Sequence, residues 1–315
     1  MDSGNFLSLA TDVSRKALAA TLAKSYLFDL MNRTNAMQPA TLQDRAVITV
    51  SGQDAQDFLQ ALITTDLDLL EDAEAKPGAL LTPQGKILFD FMVTRDGTTI
   101  RLETGTEQAE ALLKRLTMYK LRAPISLALT NPADVSIRFD AAPGAYADAR
   151  FAKAGQAVYR VYGPAGATTG AGDYDRLRIA NGIAVSGADY ALQDAFPHDV
   201  LMDKNGALSF KKGCYVGQEV VSRMQHRGTA RRRVVIVAAE TALPETGTPL
   251  TAKGRSIGVL GSVIGGSGLA IVRIDKAGEA IASGEPILAG DVAVTLTLPA
   301  WTGLDFPAEA DEATA

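Results

Sequence analysis

Cysteine is nearly missing from this chain: 315 residues hold one, Cys214. A single thiol excludes an intramolecular disulfide. It also excludes a metal or cluster site built only from the cysteines of one chain. Such sparse cysteine usage reads as a reducing compartment, and the expectation is a cytoplasmic protein. Histidine is equally scarce. His198 and His226 are the two present, and His198 has no partner at ligand spacing, so no metal site is expected. Apolar runs long enough to cross a bilayer are absent. The most apolar stretches, such as Val234–Ala239, are short and strand-like, so no membrane association is expected. Positive charge is not in excess: a net charge of −5 does not suit a general nucleic-acid binder. The first 37 residues lack the charged start, apolar middle and small cleavage site of a secretory signal, and Asp2, Asp12 and Asp29 count against a mitochondrial presequence.

What is present is an ordinary globular composition, 47% apolar and 21% charged, over a length that suits two or three domains. Residues 1–37, with a helix expected over Ser14–Leu30, read as an N-terminal extension. Residues 38–225 read as an α+β body of two subdomains with a boundary near 130–150. In it, Arg45–Val50 is a strand, and the residues after Asp54 form a helix with Phe58, Leu59, Leu62 and Ile63 at helical spacing. Thr82–Lys86 is a turn between the strands around Leu80–Leu81 and Ile87–Val93. Glu107–Tyr119 is an amphipathic helix with Ala109, Leu112, Leu113, Leu116 and Met118 as its apolar set; Pro143–Gly155 reads as a loop, and Tyr174–Asn181 as a helix. After Arg233 short strands alternate with Gly, Pro, Lys and Asp turns, so 226–303 reads as a small antiparallel barrel or sandwich, and 304–315 as an acidic tail.

The segment richest in chemistry is Phe210–Arg233. It holds seven Lys or Arg against one Glu, in a chain that is acidic overall. Gly213 and Gly217 bracket Cys214, and glycine allows unusual backbone angles and close approach. A thiolate is the nucleophile and the metal ligand, and nearby cations or a helix N-terminus favour it. A helix is expected to begin at Gln218, which puts Cys214 near its positive end. Cys214 is therefore expected on an exposed loop as a reactive thiol, with Lys212 as the second catalytic candidate. The positive cluster, which includes His226, suits a polyanion such as a glutamate tail or RNA phosphate.

The run Lys212-Gly213-Cys214-Tyr215-Val216-Gly217-Gln218-Glu219, followed by Arg223, resembles the signature of the YgfZ family. Arg45–Val50 with Gly52, Asp54, Phe58, Leu59, Gln60, Thr64 and Asp66 resembles that family's opening block. Arg178-Ile179 through Gly182-Ile183, and Pro197-His198-Asp199 with Asp203, resemble two further blocks. The resemblance implies a fold related to the aminomethyltransferase of the glycine cleavage system, a cloverleaf of three subdomains around a central tetrahydrofolate cavity, with a C-terminal antiparallel β-barrel. It implies tetrahydrofolate or a folate derivative as cofactor. It also implies a role in iron–sulfur cluster assembly or repair, including that of enzymes that modify tRNA, with assembly proteins or client enzymes as partners. A pterin needs a carboxylate at its edge, an apolar wall and a cation for its glutamate tail; Asp199, Tyr215 and Arg223 offer one of each, and the signature adds Gln218 and Glu219 to the cofactor set. Where the family usually has Glu, this chain has Asp199, shorter by one methylene.

A folate-dependent accessory factor with Cys214 as its functional thiol is the leading expectation. One-carbon transfer through that thiol and handling of a cluster with ligands from another chain both fit, so catalysis is left open. A true aminomethyltransferase ordinarily has an acidic residue where Cys214 stands. An RNA-binding or regulatory module acting in tRNA modification would use the basic stretch, but that stretch lacks an aromatic platform, and direct nucleic-acid binding is not expected.

Overall fold

Alternation of apolar and polar residues builds the strands of the body. In Arg45–Ser51 (β2), Ala46, Ile48 and Val50 are buried while Arg45, Thr49 and Ser51 are partly exposed. The structure, a computed structural model, describes residues 37–164 and 172–307; the helix expected over Ser14–Leu30 and residues 308–315 of the expected tail lie outside the described residues. The remaining body strands are β1 (Ala40–Leu42), β3 (Glu74–Leu81), β4 (Ile87–Asp96), β5 (Thr99–Gly105), β6 (Ser126–Thr130), β7 (Val135–Arg138), β8 (Tyr146–Asp148) and β9 (Tyr159–Tyr162). They form one nine-stranded sheet in the order β1-β7-β9-β8-β3-β4-β5-β2-β6. Every pairing is antiparallel except the short parallel contact of β3 with β8, Glu74 opposite Ala147. That contact joins the two halves of the sheet.

Two helices, α1 (Ala55–Gln60) and α2 (Thr106–Lys120), cover one half: Leu59, Leu112 and Leu116 pack on Ile48, Val50 and Leu102. Met118, expected in the apolar set of α2, is 59% exposed. Two residues beyond Leu116 is a turn of about 200° on a helix, which points Met118 away from the sheet. The expected loop over 143–155 instead contains β8 and α3 (Ala149–Lys153). Asp148 is the reason. Its carboxylate accepts the Arg150 backbone N–H at 3.1 Å and caps α3.

The same carboxylate anchors a buried charge network. Asp148 accepts from Arg150 Nη2 at 2.8 Å and from Arg160 Nε at 3.0 Å; Arg160 also bonds Glu103 of β5, and Arg150 and Arg160 both reach the Tyr174 hydroxyl of α4 (Gly172–Ala180). Burial pushes the Asp148 carboxyl up, but the charges of Arg150 and Arg160 outweigh it and hold the pKa down at about 2.

Beyond Arg231 the chain closes a barrel. β10 (Arg232–Ala238), β11 (Pro249–Ala252), β12 (Arg255–Ile264), β13 (Ser267–Arg273), β14 (Ile287–Ala289) and β15 (Val292–Thr297) run in the order β10-β13-β12-β11-β14-β15, and β15 returns to pair with β10. Closure leaves no edge strand to pair with another chain. The α+β body with a C-terminal antiparallel barrel is the expected fold class. One element was not expected: helix Ile274–Ser283 lies against the barrel through Ala277 and Ala280. Its Gly278 leaves room for the Pro307 carbonyl, which a Cβ would meet at 2.2 Å. Between body and barrel, Ala79, Leu81 and Ile87 share a core with Val200, Leu208, Tyr215, Val221, Val234 and Leu269. The segment carrying Cys214 is thus held from both sides.

Removing one member of a buried ion network leaves the others unpaired in a low-dielectric interior. Arg160→Met is expected to destabilise the protein by about 3–5 kcal/mol. Urea unfolding followed by circular dichroism checks this; a loss below about 1 kcal/mol would mean the network carries little of the fold.

Candidate functional site

Strands β3, β4 and β5 bring Pro77, Asp90 and Glu103 to the wall of a small cavity of about 50 Å³. Pro77, Phe91, Met92, Val200 and Met202 supply apolar surface; Asp90, Glu103, Ser186, Tyr190 and Asn205 supply polar groups; Arg45, Arg150 and Arg160 supply positive charge. Asp90 accepts from Gln108 Nε2 at 2.8 Å, Ser186 Oγ at 2.7 Å and the Tyr190 hydroxyl at 2.7 Å. Burial, reinforced by the Asp90 charge, pushes the Tyr190 phenol well up, so it stays a donor. Arg45 Nε is buried without a hydrogen bond, 3.7 Å from Glu103 Oε1. Sequence reasoning missed these residues. A signal was there for one of them: Asp90 interrupts an otherwise apolar strand core, Leu-Phe-Asp-Phe-Met.

The cysteine loop is tied down on both sides of its tip. Ser209 N–H donates to Thr64 O at 3.0 Å, and the Lys211 and Lys212 N–H groups donate to Ser209 Oγ at 3.3 and 3.2 Å. Lys212 Nζ turns inward and donates to Ile63 O at 2.8 Å and Thr65 O at 2.7 Å. Burial pulls this ammonium down to about 8, against the upward pull of Asp66 and Asp68. The Tyr215 ring covers it, 5.5 Å from Nζ to centroid, and the Tyr215 hydroxyl donates to Ser209 O at 3.0 Å. Between the buried Lys212 and Tyr215, Gly213 and Cys214 are exposed.

Of the two bracketing glycines, only Gly217 is required by the backbone. It has φ +80°, and a Cβ there would meet Thr82 O at 2.5 Å, on the β3–β4 turn. Gly213 has no positive φ and faces open space, so the freedom expected of it is not used. Helix α5 (Gln218–Arg227) begins directly after Gly217, as expected, and buries Val221. Gln218 N–H bonds Tyr215 O at 3.3 Å, and its side chain is partly exposed. Glu219 and Arg223 pair with each other on the outer face of the helix at 2.8 Å.

Asp199 does not line the cavity; its backbone carbonyl accepts Val234 N–H of β10 at 2.8 Å. It is 2% exposed, and its Oδ2 accepts Phe196 N–H at 3.1 Å, closing its own turn, with Arg232 Nε at 3.7 Å. Its neighbour His198 is fully buried; its Nε2 faces Gln225 Oε1 at 3.1 Å, and burial lowers its pKa. The structure therefore gathers Lys212, Cys214, Tyr215, Gln218, Glu219 and Arg223 on one loop and helix. None of these, nor Asp199, lines the central cavity.

Four likenesses bear on this arrangement. Residues 231–304 match the CAF17, C-terminal beta-barrel domain family. The chain is 30% identical over 291 residues to the mitochondrial iron–sulfur cluster assembly factor IBA57 homolog of Pyricularia oryzae, covering 79% of this chain and 75% of that protein. It is 29% identical to mitochondrial IBA57 of Mus musculus over 303 residues, 82% of this chain and 84% of that protein. In fold it is similar to the glycine cleavage system aminomethyltransferase T of Bartonella henselae, with a TM-score of 0.63 at 16% identity over 86% of this chain and 89% of that one. The relatives corrected one expectation. They are named as mitochondrial, which points away from the cytoplasmic placement read from cysteine usage and from the acidic residues near the start. A reducing interior is shared by both compartments, so one free thiol cannot separate them.

Asp199 gives a pH test. Burial pushes its carboxyl up to about 6, against the hydrogen bond from Phe196 and the charges of Arg232 and Arg233. A raised carboxyl means the folded protein binds this proton more tightly than the unfolded chain. Its contribution is therefore fully favourable below the unfolded pKa of about 4 and is lost as pH rises through about 6. Asp199→Asn keeps the acceptor for Phe196 without the charge. At about pH 7.5 it is expected to unfold at higher urea, by roughly 2 kcal/mol, with the advantage shrinking toward about pH 4.5. An advantage that does not change with pH would show that the Asp199 carboxyl is not raised.

Proposed function

The chain belongs to the IBA57 family of iron–sulfur cluster assembly factors, and from that premise we propose that it serves iron–sulfur cluster assembly or repair, with Cys214 as its functional thiol and tetrahydrofolate bound in the central cavity. The observation that carries this is the setting of Cys214. Its neighbours are buried and bonded, while the thiol itself is exposed on a loop held in place. A packing cysteine would be inside. Clusters are held by several thiolates, and one cysteine supplies one ligand. Among the described residues no group of His, Cys, Asp or Glu is placed to hold a metal. The cluster is then cargo, and the remaining ligands come from a partner.

The side chains of the cavity wall offer the chemistry of a folate site, and at about 50 Å³ the cavity must open to admit one. Asp90 and Asn205 offer acceptors and donors to a pterin edge, and Phe91, Met92 and Met202 offer faces for a flat ring. Arg45, whose buried Nε has no hydrogen bond although Asp44 and Glu103 lie at 3.5 and 3.7 Å, offers a cation for the glutamate tail. We assign folate contact to these wall residues. Asp199, Tyr215, Gln218, Glu219 and Arg223 then serve the loop and helix that present Cys214. Tetrahydrofolate, when bound, supplies a one-carbon carrier; the wall residues bind it, orient it and keep water from it. The resemblance of the Lys212–Glu219 signature to YgfZ supports the same reading.

Titration calorimetry of the full chain with tetrahydrofolate is expected to give a dissociation constant of about micromolar order, and no heat at concentrations well above that would remove the cofactor from the proposal. Cys214→Ala is expected to change folding stability by less than about 0.5 kcal/mol, because an exposed side chain loses little packing. In cells lacking the native protein it should accumulate normally and fail to restore iron–sulfur enzyme activities. If the alanine variant restores them, Cys214 is not the functional thiol.

A further inference from the structure

Lys212 stands two residues before Cys214, yet its ammonium is turned away from the exposed tip. Two of its donors are used on backbone carbonyls, Ile63 O at 2.8 Å and Thr65 O at 2.7 Å, and the Tyr215 ring lies over it. Among the described residues no carboxylate lies within ion-pairing distance of Nζ; Asp66 and Asp68 act on it from farther away. A group in that position has little left with which to touch a substrate. The acceptors matter as much as the donor. Ile63 bridges to Leu80 of β3, and Thr64 exchanges two hydrogen bonds with Ala79: its N–H donates to Ala79 O and its hydroxyl accepts from Ala79 N–H, both at 2.9 Å. Thr65 Oγ1 donates to Pro77 O at 2.7 Å, and a Cβ on Gly78 would meet that oxygen at 2.1 Å. Pro77 and Gly78 are wall residues of the central cavity. One side chain therefore fastens the cysteine loop to the outside of that wall.

We propose that Lys212 is a positioning residue, a charged clamp that holds the loop bearing Cys214 against the Ile63–Thr65 segment and so sets where the thiol is presented. The inference rests on the reading of Cys214 as the functional thiol. A charged donor suits this task because its bonds to carbonyls are short and strong, and because both acceptors would be orphaned in the interior without it. An uncharged, unbranched side chain one atom shorter, methionine, fills most of the space and leaves the carbonyls unpaired. Arginine keeps the charge and can donate to two acceptors at once.

The test uses the full chain with Lys212→Met and Lys212→Arg, and reads amide hydrogen exchange by mass spectrometry beside complementation in cells. In Lys212→Met, peptides covering 209–217 are expected to exchange about tenfold faster or more, while those covering β10 and β13 stay unchanged. Complementation should fall as it does for Cys214→Ala, and Lys212→Arg should restore both readouts. Where Lys212→Met does not fold, the native protein supplies a second measurement. Heteronuclear NMR should show the Lys212 ammonium protons protected from solvent, as hydrogen-bonded ones are. Unchanged exchange in 209–217 for Lys212→Met, or an unprotected ammonium in the native protein, overturns the clamp. A loosened loop with full complementation overturns its role in presenting the thiol. If Cys214→Ala itself complements, the functional reading of the thiol fails, and the exchange result still decides whether Lys212 holds the loop.

Discussion

A positive charge buried with backbone carbonyls as its hydrogen-bond acceptors is a demanding thing to build into a fold, and the region around Cys214 is organised about one. The Lys212 ammonium is satisfied by two carbonyls of the Ile63–Thr65 segment and covered by Tyr215. Those carbonyls are held in place because Thr64 and Thr65 are themselves bonded to β3. Ser209 closes the arrangement from the other side, accepting from Tyr215 and from the loop's own N–H groups. The result is a loop with rigid shoulders and an exposed tip, which is what presentation of a thiol to another molecule requires.

The second organising feature is the join of the two sheet halves. Only a short parallel contact links β3 to β8 by backbone hydrogen bonds. The Arg160, Asp148, Glu103 and Arg150 network reinforces it with side chains drawn from β5, β8, β9 and α3. The interior face of that same network borders the central cavity, through Glu103, Arg150 and Arg160. The groups that hold the halves together are thus also the groups that give the cavity its polarity.

Much of the fold was legible because it rests on short-range pattern. The alternation in β2, the turn-rich Thr82–Lys86 segment between β3 and β4, the helical spacing in α2 and the change to short strands after Arg233 all reflect which face of an element is buried. Errors came where a single residue overrode composition. Asp148 capped a helix in a stretch whose small residues suggested a loop, and Ile274–Ser283 formed a helix among strands because small side chains at Ala277 and Ala280 let it lie close on the barrel. In the cysteine loop, the exposure of Cys214 and the helix start at Gln218 followed from local chemistry, since glycines and a capping position act within a few residues.

The sequence by itself determined that one thiol sits in a short basic loop before a helix, and that an α+β body precedes a small β-domain. Tertiary structure decided which side chains face which space. Asp90 meets Ser186 and Tyr190 across 96 and 100 residues of chain, and Lys212 meets Ile63 and Thr65 across 149 and 147. Such meetings depend on strand order and register, which no local pattern encodes. For that reason Asp199, adjacent in sequence to residues of the cavity wall, turned its carboxylate into its own turn. For the same reason Lys212, adjacent to the thiol, turned its charge away from it.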